Sequence, residues 1–114
     1  MAIPRDLFID QGSTFAAELA VTDIANQPFN LTGCTAFSDL KKWQDAESAV
    51  VSFTCTITGD PTEGKILLSL TDEETATIPA RKYFYDVIIK NSVDQVFRVV
   101  EGLAVVAPGV TRPS

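Results

Sequence analysis

The side chains able to do chemistry are few in this sequence, and the most telling feature is an absence: there is no histidine. The commonest general base and the commonest metal ligand are missing together. A nucleophilic serine, threonine or cysteine would have to hand its proton to a lysine or a carboxylate, and no such pair stands out, so a hydrolase is not expected. Asp72, Glu73 and Glu74 form the densest group of acids and admit an acid–base or calcium reading. Thr71 before them, with Glu74 three residues on, spells a capping box instead, and acids in a first helical turn are what the helix dipole favours. Asp60 and Glu63 flank a proline turn and fall short of the oxygen count a calcium site uses. The expectation is no catalytic residue, no metal and no cofactor.

Cys34 and Cys55 each lie in a strand-like run. In a chain without an export signal the preferred reading is reduced thiols packed as small apolar groups, and a disulfide across two sheets is the alternative. Tyr83 and Tyr85 also read in two ways. They form a sugar-stacking platform, or they are core residues whose hydroxyls tie back to upstream backbone, as in the tyrosine corner of Greek-key sandwiches. Trp43 is expected to cover one end of the core with its indole N–H bonded to a carbonyl.

With 9 basic and 15 acidic residues the net charge is −6, and the basic residues are scattered apart from the pairs Lys41-Lys42 and Arg81-Lys82, which argues against nucleic acid. No apolar run approaches the roughly 20 residues of a membrane helix, and the opening residues lack the layout of a signal peptide, so a cytoplasmically made, non-spanning protein is expected. The 46% hydrophobic and 21% charged content of the 114 residues suits one domain with a real core.

The elements that must present these side chains are strands. Tyr83, Tyr85, Val87 and Ile89 alternate with Phe84, Asp86, Ile88 and Lys90, the period of a strand with two unlike faces. A polar break at residues 91–95 returns the chain as a hairpin into Val96 to Val106. There Phe97, Val99, Leu103 and Val105 are expected on one face, with a bulge at Glu101-Gly102 keeping Glu101 out of the core. Upstream, Val51, Phe53, Cys55 and Ile57 alternate with Ser52, Thr54, Thr56 and Thr58. Cys34, Ala36, Ser38 and Leu40 face inward in another strand, and Phe15, Ala17, Leu19 and Val21 in a third that competes with a short helix. Gly59 to Gly64 is a hairpin loop into Lys65 to Leu70, and residues 71–78 form a short helical crossover. This predicts an all-β, two-sheet antiparallel sandwich of about seven strands, a single domain over residues 1–114 with short arms at 1–6 and 107–114.

Leu31-Thr32-Gly33, Gly64 to Thr71, the crossover ending Ile78-Pro79-Ala80, Tyr83 to Val87, Arg98 to Gly102 and Pro108 to Arg112 together resemble small immunoglobulin-like β-sandwich structural proteins of tailed bacteriophages. Cys34, Ala36 and Ser38 depart from that outline, where larger apolar or aromatic residues are usual. The resemblance implies a non-enzymatic virion component, assembled in the host cytoplasm, that docks on other virion proteins in a tail, baseplate, fibre attachment or capsid surface. Self-association is compatible with it, and a small-molecule ligand is not expected. Apolar residues on the arms and on the strand faces turned from the core are the candidate contacts: Ile3, Leu7, Phe8, Phe37, Phe84, Ile88 and Val110. The alternative is a carbohydrate-binding module for host-surface recognition, acting through Trp43, Tyr83 or Tyr85.

Overall fold

Alternation along one strand organises the molecule. In β8 (Lys82–Lys90) Tyr83, Tyr85, Val87 and Ile89 are buried, while Phe84, Asp86 and Ile88 between them keep partial access to water. The computed structural model describes residues 3–22, 25–43 and 48–109, and they form an all-β sandwich of two packed sheets. The larger sheet contains β8 flanked by β9 (Val96–Ala107) and β4 (Thr35–Lys41). Beyond β4 lies β5 (Val51–Ser52), and beyond β9 lie β1 (Ile3–Pro4) and β2 (Leu7–Asp10). The smaller sheet runs β3 (Phe15–Ala20), β7 (Lys65–Leu70) and β6 (Thr54–Ile57).

Nine segments correspond to seven passes of the chain. Between β5 and β6 the Phe53 N–H donates to the Ser38 carbonyl at 2.9 Å, so one strand leaves the larger sheet and joins the smaller. The phenyl ring it carries inward lies 6.0 Å from Phe15 and 6.2 Å from Tyr85, bridging the layers. The short helix α1 (Asp72–Ala76) closes one end. Its capping box is formed as expected, with the Glu74 N–H donating to the Thr71 hydroxyl and the Thr71 N–H to the Glu74 carboxylate. Buried Thr75 then donates its hydroxyl to the Ser13 carbonyl, pinning the crossover to the turn before β3.

Two expectations change. The bulge falls earlier than Glu101-Gly102: Val87 pairs with Val100 but Ile88 pairs with Arg98, which leaves Val99 as the extra residue. Val99 and Val100 are therefore both buried, Glu101 is turned outward, and Leu103 and Val105 lie on the face opposite the core instead of beside Val99. The partners of Tyr83 and Tyr85 are Ala104 and Gly102, small residues that leave room for two phenol rings.

The N-terminal segment is the second correction. Rather than a free arm over residues 1–6, Ile3–Pro4 and Leu7–Asp10 pair with β9 in parallel, so the sheet is mixed and not wholly antiparallel. Between these strands Arg5 and Asp6 cross directly above Gly102, where a Cβ would stand 2.0 Å from the Arg5 carbonyl oxygen. Asp6 accepts from the Leu103 N–H at 3.2 Å, and the Tyr85 hydroxyl donates to the Arg5 carbonyl at 2.5 Å. At the other terminus Ala107 still belongs to β9, and the Gly109 N–H donates to the Gln11 side chain. Val110 and the rest of the expected C-terminal arm lie outside the described residues.

Gly102→Ala should therefore lift the Arg5–Asp6 crossing and destabilise the fold by about 1–3 kcal/mol, the usual range for forcing extra volume into a packed site. Tyr85→Phe, which strands only one carbonyl, should cost about 1 kcal/mol. Urea unfolding midpoints check both, and an unchanged midpoint for Gly102→Ala would contradict the seating of this segment.

Candidate interaction surface

Because paired residues in adjacent strands share a face, the registers give the outer surface of the larger sheet row by row. Thr35, Lys90 and Val96 form the row nearest the β8–β9 turn, followed by Phe37, Ile88 and Arg98. The central row is Asp39, Asp86 and Glu101, extended by Pro4. Next comes Lys41, Phe84 and Leu103, and last Lys82, Val105 and Phe8. Two apolar bands are thus separated by a line of three carboxylates.

Within the acidic row, Asp86 pairs with Arg98 at 3.1 Å and Asp39 accepts from the Ser52 hydroxyl at 2.7 Å. Like charges directly opposite one another in a sheet are destabilising, so the arrangement works against the isolated fold. Lys41 and Lys82 have no acid within ion-pair distance among the described residues.

Of the expected contact residues, Phe8 is 74% exposed and Phe37 48%, and Phe84 and Ile88 lie half-buried on the same outer face. All four share this face, Phe37 and Ile88 in one band and Phe84 and Phe8 in the other, across the acidic row. Leu7 is not a contact: it is packed in the core, because it pairs with Ala104 on the inner face. Ile3 also pairs with an inward residue, Val100, and is half-buried, so it too is turned from the outer face. Val110 lies outside the described residues. Leu103 and Val105 were missed. Their signal is indirect: the two tyrosines need small cross-strand partners, which selects Gly102 and Ala104 as the inward set.

Both tyrosines are core residues. Tyr83 donates to the Pro79 carbonyl at 2.5 Å, four residues upstream, in the manner of a tyrosine corner, and Tyr85 to Arg5. Neither presents a ring to solvent, so they supply no sugar-stacking platform. Trp43, expected over the core, is 55% exposed instead, and the Arg81 guanidinium lies 5.2 Å from its ring and 5.5 Å from that of Tyr83. The acids flanking the proline turn serve their own loop: Asp60 accepts from the Thr62 N–H, which holds its carboxyl below the usual value, and Glu63 accepts from the Asp60 N–H. Cys34 and Cys55 are free thiols, and burial, helped by the Asp39 charge, pushes Cys55 up to about 11.

No protein-family model and no curated protein matches the chain.

Burial raises the Tyr85 hydroxyl to about 12, opposed by Arg5 and reinforced by Asp6. The native state holds this proton more tightly than the unfolded chain, where tyrosine titrates near 10. Its contribution is complete below pH 10 and declines as pH rises towards 12, with Cys55 adding a decline between about 9 and 11. Thermal melts across this window should show a falling midpoint, and Tyr85→Phe should flatten the part above pH 10. A parent midpoint that stays level through pH 11 would contradict the burial of both groups.

Proposed function

We propose that the chain is a non-enzymatic structural module of a phage virion that docks on other virion proteins, in a tail, baseplate, fibre attachment or capsid surface. The virion assignment is supported by the resemblance carried by Leu31-Thr32-Gly33, Gly64 to Thr71, Tyr83 to Val87 and Arg98 to Gly102. The docking role is carried by one observation: the outer face of the larger sheet holds Phe8, Phe37, Phe84, Ile88, Leu103 and Val105, none of which the core requires. They form two bands on either side of the acidic row, and exposed apolar patches of this kind usually mark interaction surfaces.

A carbohydrate-binding reading now rests on Trp43 alone, since Tyr83 and Tyr85 are sequestered. One exposed ring clamped by an arginine is a weaker basis than an apolar face spanning four strands.

The test is incorporation. Particles purified from cells that express the genome encoding this chain should contain it in fixed stoichiometry, measured by quantitative mass spectrometry. The Phe8→Ser, Phe37→Ser double variant, with both changes on exposed positions, should keep its circular dichroism and melting temperature while its incorporation falls by about tenfold, the effect of losing a little over 1 kcal/mol of binding. A chain absent from purified particles would overturn the virion assignment, and undiminished incorporation of the variant would overturn this face as the docking surface.

A further inference from the structure

We infer that one corner of the larger sheet, where Lys41, Lys42 and Trp43 meet Arg81 and Lys82, receives a short protein segment in which acidic residues adjoin apolar ones. The inference names a partner chemistry for one end of the docking face, and it rests on the reading of that face only in taking its apolar residues for a contact surface.

The two basic pairs are far apart in the sequence and are joined by the fold. Strand β4 runs antiparallel to β8, so the end of one lies against the start of the other, with Lys41 opposite Phe84. Lys42 and Trp43 follow Lys41 directly, and the Arg81 guanidinium sits 5.2 Å from the Trp43 ring. Four of the 9 basic residues of an acidic chain thus share one corner. None of the four has an acid within ion-pair distance among the described residues, whereas Lys65, Lys90 and Arg98 each do. Trp43 stays 55% exposed beside them. Tryptophan and arginine are among the side chains that most often anchor an interface.

The neighbouring rows fix what the occupant must carry. On the outer face, Phe84 and Leu103 continue the row of Lys41, and Val105 and Phe8 the row of Lys82. Cations therefore lie on the β4–β8 side and apolar groups across β9 and β2, about 14 Å away at three inter-strand steps. An extended segment covers that span with about four or five residues. Its carboxylates would meet the ammonium and guanidinium groups in charge-assisted bonds, and its apolar side chains would cover Leu103, Val105 and Phe8. A polyphosphate satisfies only the first half, and it would run within about 7 Å of the Asp39–Asp86–Glu101 row, two residues along the strands. The net charge of −6 repels any acidic partner at long range, but that repulsion is screened beyond about 8 Å at physiological ionic strength, so the local cations decide.

Fluorescence anisotropy of a labelled peptide, Glu-Asp-Glu followed by Leu-Leu-Phe, titrated with the full chain tests this. The expected dissociation constant is about 0.1 mM or tighter, rising with salt as exposed charges are screened. Trp43→Ala should weaken binding by about tenfold, and Lys41→Gln together with Lys82→Gln by about fivefold. Melting temperatures should not change, since none of the three side chains is buried. A peptide with Gly and Ser in place of its apolar half should bind about tenfold more weakly, and one with lysines in place of its acids should not bind. A parent chain that leaves the peptide unbound at about millimolar concentration, folded variants that bind as the parent does, or an oligothymidylate of the same charge that binds as tightly as the peptide would each overturn the proposal. No virion component enters the titration, so its failure removes this partner while the incorporation measurement still decides the docking role.

Discussion

The phase of β9 is the constraint on which the rest of the structure depends. Side chains alternate along a strand with a period of two, so a single extra residue exchanges the inner and outer sets for everything that follows it. Val99 is that residue. Before it, Phe97 pairs with Ile89 on the inner face; after it, Val100, Gly102, Ala104 and Val106 turn inward. Placing the smallest side chains opposite Tyr85 and Tyr83 lets both rings enter the core and lets the Arg5–Asp6 crossing lie on the strand. The same shift expels Leu103 and Val105 onto the outer face. Core packing, N-terminal seating and surface character are thus consequences of one irregular pairing.

The tyrosine hydroxyls show how the fold tolerates polar atoms in its interior. Each buried phenol needs an acceptor, because an unsatisfied hydroxyl costs more than a made bond returns. Tyr83 finds its acceptor at Pro79, just upstream, so the crossover and the strand entrance are tied locally. Tyr85 reaches Arg5, eighty positions away, and there the bond ties the link between β1 and β2 to β8. Ser38 behaves alike, donating to the Asp86 carbonyl at 2.6 Å, which explains how a small polar residue stands where a larger apolar one is usual.

Much of this was legible in the chain itself. The inward sets of β3, β4, β6 and β8, the sandwich, the capping box and the reading of the tyrosines as core follow from alternation and from the hydrogen-bond needs of particular side chains. What was not legible has specific causes. Val99-Val100-Glu101-Gly102 carries three plausible bulge positions, and only the cross-strand partner distinguishes them, since Gly102 is needed flat beneath Arg5 and cannot also be the bulge. The parallel placement of the first strand depends on partners 97 residues away, as from Ile3 to Val100, which no local pattern encodes. Leu7 and Phe8, adjacent and both apolar, could not be sorted into core and surface until their registers with Ala104 and Val105 were known. Trp43 stands outside because Arg81 offers its ring a cation at the surface, a contact between distant segments.

The two layers differ in extent, and that difference explains where apolar surface remains. Six segments form one sheet and three form the other, so β8 and β9 run past the area the smaller sheet can cover. Phe97, although on the inner face, is 44% exposed there, and Val93 and Val96 stand in water near the same turn. An apolar residue on the inner face is exposed for want of a roof, which is a matter of element length. Phe8, Phe37 and Leu103 on the outer face have no such cause, because none of the described strands or helices packs on that side. Their burial is unnecessary for folding, and a sheet presenting them to water carries the exposed-patch liability that soluble domains generally avoid. The acidic row between the two bands has the opposite character: it costs the isolated sheet electrostatic repulsion and contributes nothing to its core.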